Sequence, residues 1–176
     1  MANRDALRAF QSRLASRLQA ARTSGVSASW LAVEAGDAKY LFPLGHAGEI
    51  FPWTPPQAVP YVQPWFLGVA NLRGGVYGVV QLSTFATGEA APPAGDAARA
   101  QSRLVALNEM LEVNCALLVD RLVGLRGVEA FTESQAPDEG APAWLGHAYM
   151  DAAGQRWQEI NLQALSQQPQ FLSIGA

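Results

Sequence analysis

The sequence is short of the residues on which most catalytic, metal-binding and disulfide-stabilised proteins depend. Cys115 is the single cysteine, which excludes an internal disulfide or a multi-cysteine metal site and favours a reducing compartment; we expect the cytoplasm. The two histidines, His46 and His147, are far apart and lack carboxylates at ligand spacing, so no zinc site is predicted. Lys39 is the single lysine beside eleven arginines, which we interpret as a compositional bias without functional meaning.

Charge and long apolar runs are scarce as well. Charged residues make up 15% of the 176 residues, against about 25% in a typical protein, which favours a compact chain with an apolar contact surface. No apolar run approaches the roughly 18 residues of a membrane span, and the first residues lack the apolar core of a secretory signal. Residues 1–22 carry a net charge of +4 and the remainder −7, and this acidic body argues against a nucleic-acid groove.

The first 25 residues are predicted to form a separate amphipathic helix. Apolar residues recur at spacings of three and four, and Gly25 is a suitable residue to end the helix. The apolar stripe consists of Leu7, Phe10, Leu14, Leu18 and Ala21. We expect this helix to dock on the body of the protein or on a partner. Because the segment is rich in arginine and poor in acids, a mitochondrial transit peptide is the alternative interpretation.

Residues 26–176 show mainly strand periodicity. The pattern predicts a hairpin around Gly36-Asp37, a second around Ala153-Gly154, and strands over 103–110 and 113–131, with Asp120 and Arg121 as an edge pair. A bulge is expected at Gly124 or Gly127. Proline-rich residues 51–64 are predicted to be a stiff extended loop, residues 86–100 a flexible loop, and residues 162–173 a short helix interrupted at Pro169.

The segment from Trp65 to Leu82 carries the most specific pattern. It predicts two short strands around a Gly74-Gly75 turn, since glycine readily adopts the positive φ of a tight reversal. Asn71 and Arg73 interrupt this apolar run. An arginine in such a place must pair with a carboxylate of the protein itself or point towards a partner, and the sequence leaves both open.

A weak internal repeat accompanies this hairpin. Residues 65–70 (WFLGVA) resemble residues 144–148 (WLGHA), and about a dozen residues later 80–82 (VQL) matches 160–162 (INL). Two copies of one small β-unit would explain the match. Together with the number of short strands, it favours two similar barrels packed together.

From about Trp30 to Leu165, the order of these motifs resembles the CheW-like chemotaxis adaptor family. The resemblance rests on the Glu49-Ile50 pair, the proline-rich link, the hairpin around residues 67–74 (LGVANLRG), the strand 118–123 (LVDRLV) and the closing 160–162 (INL). It implies a mainly β fold of two packed, SH3-like, five-stranded barrels, here with an N-terminal and a short C-terminal helix. The family's members are non-catalytic scaffolds without a cofactor. The resemblance therefore implies a protein that couples a methyl-accepting chemoreceptor to a histidine autokinase.

The chain departs from the family pattern at two hairpin positions. Family hairpins read NLRG-x-x-x-P-V-x-D-L, whereas Gly78 stands here at the proline position and Gln81 at the acid position. If that acid normally pairs locally, the pair is lost or moved here. With the added N-terminal helix, the chain resembles the PilI-like branch that serves type IV pilus (twitching motility) chemosensory systems.

The resemblance also implies two binding sites. Glu49 and Ile50 match a pair that the family uses against the regulatory domain of the kinase, and an exposed apolar anchor beside a charge suits such a role. Asn71, Arg73 and Gly74 match the hairpin presented to the cytoplasmic tip of the receptor and the array, where a guanidinium offers bidentate pairing to a carboxylate.

Two other classes of function stay open in the sequence. The first is a small β-barrel that binds a ligand or peptide, with residues 51–64 as its lid; such a protein should have a deep polar pocket, which an adaptor should lack. The second is an enzyme, which is disfavoured because no acid pair, triad or metal cluster is visible. Cys115 lies in an apolar strand and is expected to be a buried, inert thiol.

Overall fold

The computed structural model describes residue 9, residues 11–13 and residues 29–176. The eleven strands of these residues are β1 Trp30–Ala35, β2 Ala38–Pro43, β3 Ala47–Pro52, β4 Phe66–Leu72, β5 Gly75–Gln81, β6 Arg103–Leu107, β7 Cys115–Val119, β8 Arg121–Arg126, β9 Phe131–Gln135, β10 Leu145–Asp151 and β11 Arg156–Ile160. The α-helices between residues 29 and 176 are α1 Leu82–Thr87, α2 Asp96–Gln101, α3 Leu162–Gln167 and α4 Pro169–Leu172. Residues 9 and 11–13 are helical, and the rest of the expected N-terminal helix lies outside the described residues.

The strands form two sheets, which confirms the mainly β fold class with an SH3-like arrangement, but the sheets are not closed into the expected barrels. The six-stranded sheet has the order β8-β1-β2-β11-β10-β9, one strand more than expected, and the five-stranded sheet has the order β3-β6-β7-β5-β4. The pairs β2–β11 and β5–β7 are parallel, whereas the other neighbours are antiparallel. All strands of the five-stranded sheet come from residues 47–119, so this sheet is inserted in sequence between the strands of the other.

The chain crosses from one sheet to the other at Asp120. The apolar run expected as one long strand is divided there into β7 and β8. The Asp120 amide donates to the Glu34 carbonyl at 2.8 Å, and its Oδ2 accepts the Gly36 amide at 2.7 Å. The expected edge pair of Asp120 with Arg121 is wrong, because Arg121 instead pairs with the Glu34 carboxylate. The register shift of β8 against β1 lies beside Gly124, where the bulge was predicted.

The internal repeat is visible as two equivalent β-hairpin–helix units. Trp65 precedes β4 and its carbonyl accepts the Gln81 amide at 2.8 Å; Trp144 precedes β10 and its carbonyl accepts the Asn161 amide at 2.8 Å. After each hairpin a fully buried leucine begins a helix, and these are Leu82 of α1 and Leu162 of α3. The repeat in the sequence therefore corresponds to a repeat in the fold.

The main core joins both sheets. It combines buried residues of β1 and β2 with those of β6 and β7, and at its centre aromatic rings from the two repeat units meet. The Phe85 ring lies 5.1 Å from Trp65, 5.3 Å from Trp144 and 5.4 Å from Phe171. Cys115 is buried in this core, and desolvation raises the pKa of its thiol to about 12, which makes it inert at neutral pH.

The prediction of a flexible loop over residues 86–100 is wrong in part. Thr87 ends α1, and α2 begins at Asp96 after Gly95 as its N-cap. The alanines and Arg99 of this segment are strong helix formers, and an acid in the first turn favours the helix dipole. The Arg99 guanidinium lies 4.3 Å from the Trp53 ring centroid, which anchors α2 to the end of β3.

Candidate functional site

The turn between β4 and β5 consists of Arg73 and Gly74, so the prediction of a Gly74-Gly75 turn is wrong by one residue. Leu72 pairs with Gly75, and φ is +49° at Arg73 and +80° at Gly74. Positive φ at both central residues matches the twist of the flanking strands. The Asn71 Oδ1 accepts the Gly74 amide at 3.0 Å and holds this turn in place. Asn71 and Gly74 thus present Arg73 at the tip of the hairpin.

Arg73 forms an ion pair with Glu49 of β3. Its Nη2 lies 2.8 Å from the Glu49 Oε1, and the two side chains are 78% and 42% exposed. Because β3 and β4 are the two outer strands of the five-stranded sheet, the pair shows that the sheet curls until the hairpin tip approaches the opposite edge. An exposed pair of this kind contributes only about 0–1 kcal/mol to stability. Of the two alternatives that the sequence left open for Arg73, the pairing within the protein is present in this structure.

An irregularity in the backbone of β3 exposes Glu49 and Ile50, the two residues predicted to bind the kinase. The register of β3 against β6 shifts between Ala47 and Ile50, and Glu49 and Ile50 are both exposed although they are consecutive. A Cβ on Gly48 would lie 2.9 Å from the Leu107 carbonyl oxygen, so this close approach requires glycine. Ile50 is 38% exposed, whereas the next residue, Phe51, is buried.

The structure thereby brings the two predicted sets of binding residues together. The Glu49 contact with Arg73 makes one continuous surface, which we call the adaptor patch and which comprises Glu49, Ile50, Asn71, Arg73 and Gly74. Sequence reasoning did not foresee this contact, because 23 residues, including the proline-rich loop, lie between Glu49 and Arg73. It also missed Val76, which pairs with Asn71 across the hairpin and is 60% exposed.

The structure explains one departure from the family pattern. The Gly78 amide donates to the Asn114 carbonyl at 2.9 Å, and proline has no N–H for this bond. A Cβ at Gly78 would also lie 2.8 Å from the Phe66 ring. Glycine at this position therefore fits both the bond and the ring.

A cleft of about 820 Å³ lies away from the adaptor patch. The β1–β2 turn, α1, residues 88–95 and α2 surround it, and most of its lining side chains are small. Residues 51–64, which the ligand-binding alternative assigned as a lid, do not line it. Four carboxylates reach its lining, and these are Glu34, Asp37, Glu89 and Asp120.

The negative charge of Glu34 at this cleft is balanced by two cations, Arg121 and Lys39. Its Oε1 and Oε2 accept from Arg121 at 2.9 and 3.0 Å, and its Oε1 lies 2.6 Å from the Lys39 Nζ. Hydrogen bonds from Arg121, then from Lys39, lower the pKa of Glu34 to about 2. The carboxylate is therefore a structural anion at neutral pH.

The described part of the chain contains no group of three potential metal-ligating His, Cys, Asp or Glu side chains. None of its helices is long and apolar enough to cross a bilayer.

Residues 29–170 match the CheW-like domain. The chain belongs to the CheW-like family. It is 30% identical to Protein PilI of Pseudomonas aeruginosa over 165 residues. This alignment covers 93% of this chain and 89% of that protein. The crystal structure of the scaffolding protein TtCheW from Thermoanaerobacter tengcongensis is similar with a TM-score of 0.61 at 14% identity, over 77% of this chain and 90% of that one.

Family membership fixes the general kind of activity. CheW-like proteins are scaffolds and adaptors in chemotaxis signalling and are non-enzymatic as a family. The kind of partner is likewise that of the family, namely receptors and a histidine kinase.

Proposed function

We propose that this protein is a non-catalytic, cytoplasmic adaptor that couples the tip of a methyl-accepting chemoreceptor to a histidine autokinase, in a system that controls twitching by type IV pili. The observation that carries the proposal is the Glu49–Arg73 ion pair, which makes one surface of the residues that match the family's two binding sites. The 30% identity to Protein PilI supports the pilus branch.

In this proposal β3 binds the regulatory domain of the kinase. Ile50 is a partly exposed apolar side chain on the outer strand of the five-stranded sheet, so docking would bury it without disturbing the core. The neighbouring Glu49 supplies a charge that fixes the register of the complex. An apolar anchor with a charged neighbour is a common arrangement for a binding hot spot.

The hairpin tip binds the receptor. Arg73 is 78% exposed, so its guanidinium is accessible to a receptor carboxylate. The Asn71–Gly74 hydrogen bond fixes the turn before binding and reduces the entropy lost in the complex.

The ion pair gives a physical route for coupling. A receptor carboxylate that captures Arg73 competes with Glu49 for the guanidinium and changes the charge that Glu49 presents to the kinase. Because coupling between two sites is reciprocal, kinase binding then alters receptor affinity by the same factor. No covalent chemistry is needed, since the output follows from linked binding free energies.

Calorimetric titration with the regulatory domain of a histidine autokinase from the same organism tests the proposal. We expect saturable binding, and we expect Ile50→Asp to weaken it by more than about 1 kcal/mol. The matched control is Leu125→Asp, because Leu125 is a 57% exposed apolar residue on β8, the outer strand of the other sheet. An Ile50→Asp titration curve equal to that of the unmodified protein contradicts the kinase site.

The cleft supports one alternative function. Its volume of about 820 Å³ suits a small ligand or a peptide side chain, although it is not the pocket under residues 51–64 that the ligand-binding alternative predicted. A folded protein that binds neither the kinase domain nor a receptor tip would favour this function, and a small-molecule screen with Asp37→Asn as the cleft variant would then test it.

A further inference from the structure

A short segment after α4 forms an added β-strand on the proline-rich loop. This segment, which we call the return strand, comprises residues 174–176 and runs antiparallel to residues 61–63, with Val62 opposite Gly175. The loop follows β3 in the chain and precedes β4. The return strand thus gives a strand partner to a loop whose prolines prevent regular sheet pairing.

The pairing depends on the backbone of the return strand and not on its side chains. The Gln63 amide donates to the Ile174 carbonyl at 2.7 Å, and the Ala176 amide donates to the Tyr61 carbonyl at 2.9 Å. The Gln63 Nε2 donates to the Gly175 carbonyl at 3.0 Å. All three bonds end on main-chain atoms of the return strand, so an extended segment of another sequence can form the same bonds.

Little apolar burial holds the return strand in place. Ile174, Gly175 and Ala176 are all exposed, and a Cβ added at Gly175 would meet nothing within 4 Å. By contrast Phe171 of α4 is buried, and its ring stacks on Trp65 at a centroid distance of 6.1 Å. The return strand can therefore leave the loop while α4 stays in the core.

Docking of the return strand also holds Tyr61 in a strained conformation. Its φ of +57° lies in the left-handed region, which is unfavourable for a residue with a Cβ. The side chain is 89% exposed, so its ring gains little packing in return. Because the carbonyl of this strained residue accepts the Ala176 amide, release of the return strand lets Tyr61 relax. The strain therefore favours release.

We propose that residues 61–63 are a strand-addition site for an extended segment of a partner protein, and that the return strand occupies this site as an autoinhibitory contact until the partner displaces it. Strand addition takes its affinity from main-chain hydrogen bonds, which the return strand forms here. The exposed Tyr61 ring beside the site suits a contact with the partner's side chains, since tyrosine is common at binding hot spots. The site contains no residue of the adaptor patch, so it is independent of the proposed kinase and receptor contacts.

Hydrogen exchange of single amides in the full chain measures release of the return strand. The Gln63 amide should be protected, but it should exchange about tenfold or more faster than the Val69 amide, which donates to the Gln57 carbonyl of the same loop. An unprotected Gln63 amide would show that the return strand is not docked. Protection equal to that of Val69 would show that it does not leave separately, and either result overturns the proposal.

Tyr61→Asn tests whether strain favours release. Asparagine enters the left-handed region more readily than tyrosine, so the docked state should gain and protection of the Gln63 amide should rise several-fold. Glu112→Asn is the matched control, because it relieves the same kind of strain at a φ of 58° in the turn before β7 and should leave Gln63 unchanged. Unchanged or reduced protection in Tyr61→Asn contradicts the proposal.

A peptide with the sequence of residues 172–176 tests strand addition itself. Ala176→Pro in the full chain removes the N–H that bonds the Tyr61 carbonyl, and so it weakens docking of the return strand. Added to this variant, the peptide should shift the Gln63 amide resonance and saturate in the millimolar range, which is the effective concentration of a short tether. The unmodified protein should need several-fold more peptide.

The matched control is the same peptide with proline in place of its final alanine, which lacks the corresponding donor and should shift nothing. Saturation of the Gln63 shift by both peptides, or by neither, overturns the strand-addition site.

Discussion

Arg73 combines a structural cost with an exposed position. A non-glycine residue in the left-handed region costs roughly 1–2 kcal/mol, whereas the exposed pair with Glu49 contributes about 0–1 kcal/mol. The penalty is thus at least as large as the local gain. Strained residues of this kind occur where a side chain serves a partner, which agrees with the proposed receptor contact.

We therefore predict that Arg73→Asn raises stability while it weakens receptor binding. Asn-Gly is a favoured dipeptide for this turn, and the free energy of unfolding should increase by up to about 1 kcal/mol. Urea denaturation measures the stability, and titration with a receptor-tip fragment measures the binding. Glu112→Asn is the matched control, because Glu112 also has a positive φ of 58° but lies beyond the adaptor patch. Unchanged receptor affinity in Arg73→Asn would remove Arg73 from the binding site.

At the scale of elements, Glu34 connects three neighbouring strands. Glu34 of β1 pairs across the sheet with Lys39 of β2 and Arg121 of β8, and its carboxylate contacts both cations. The Lys39 ammonium also lies 5.4 Å from the Trp157 ring centroid on β11. One ionised carboxylate thus holds together the edge at which the chain crosses between sheets.

This arrangement predicts a specific dependence of stability on pH. The folded-state pKa of Glu34 is lowered from 4.5 to about 2, so its contribution is complete above about pH 4.5 and is lost as the pH falls towards 2. Glu34→Gln should be less stable than the unmodified protein at neutral pH, and the difference should shrink through that window. Urea midpoints between about pH 7 and pH 2.5 measure it. Glu139→Gln, in an exposed loop, is the control; a difference that does not depend on pH would contradict the prediction.

Local sequence patterns predicted most strands and helices. The predictions failed where contacts between distant residues determine the local structure. The β1–β2 and β10–β11 hairpins and the helix break at Pro169 follow from alternation and turn residues. The β4–β5 turn was misplaced because glycine suggested positive φ at Gly75, whereas the Asn71 side chain fixes Arg73 in that role. The candidate residues were found by family resemblance, but their contact could not be, since it depends on the curl of the five-stranded sheet.

At the scale of the whole molecule, the two sheets share one core and should unfold together. Phe85 of the first repeat unit contacts Trp65 of its own unit, Trp144 of the second unit and Phe171 of α4. Loss of its ring would leave a cavity among other rings that cannot easily close. The aromatic centre is thus the place where the stability of one sheet depends on the other.

We predict that Phe85→Ala lowers the free energy of unfolding by about 3–5 kcal/mol without separating the sheets. For the unmodified protein and for Phe85→Ala alike, tryptophan fluorescence and far-ultraviolet circular dichroism should show coincident urea transitions. Val76→Ala is the control, because Val76 is 60% exposed and outside this cluster. Two separate transitions would show that the sheets are independent units.

The insertion of one sheet within the other has a consequence for the order of events during synthesis. The hairpin β1–β2 is made first, but its sheet partners β8 and β11 come after the whole of residues 47–119. At usual translation speeds the hairpin waits on the order of 10 s, while the strands of the five-stranded sheet are produced without interruption. The nascent chain is thus expected to complete the inner sheet on the ribosome, while the two outer edges of the β1–β2 hairpin stay unpaired until β8 and β11 arrive.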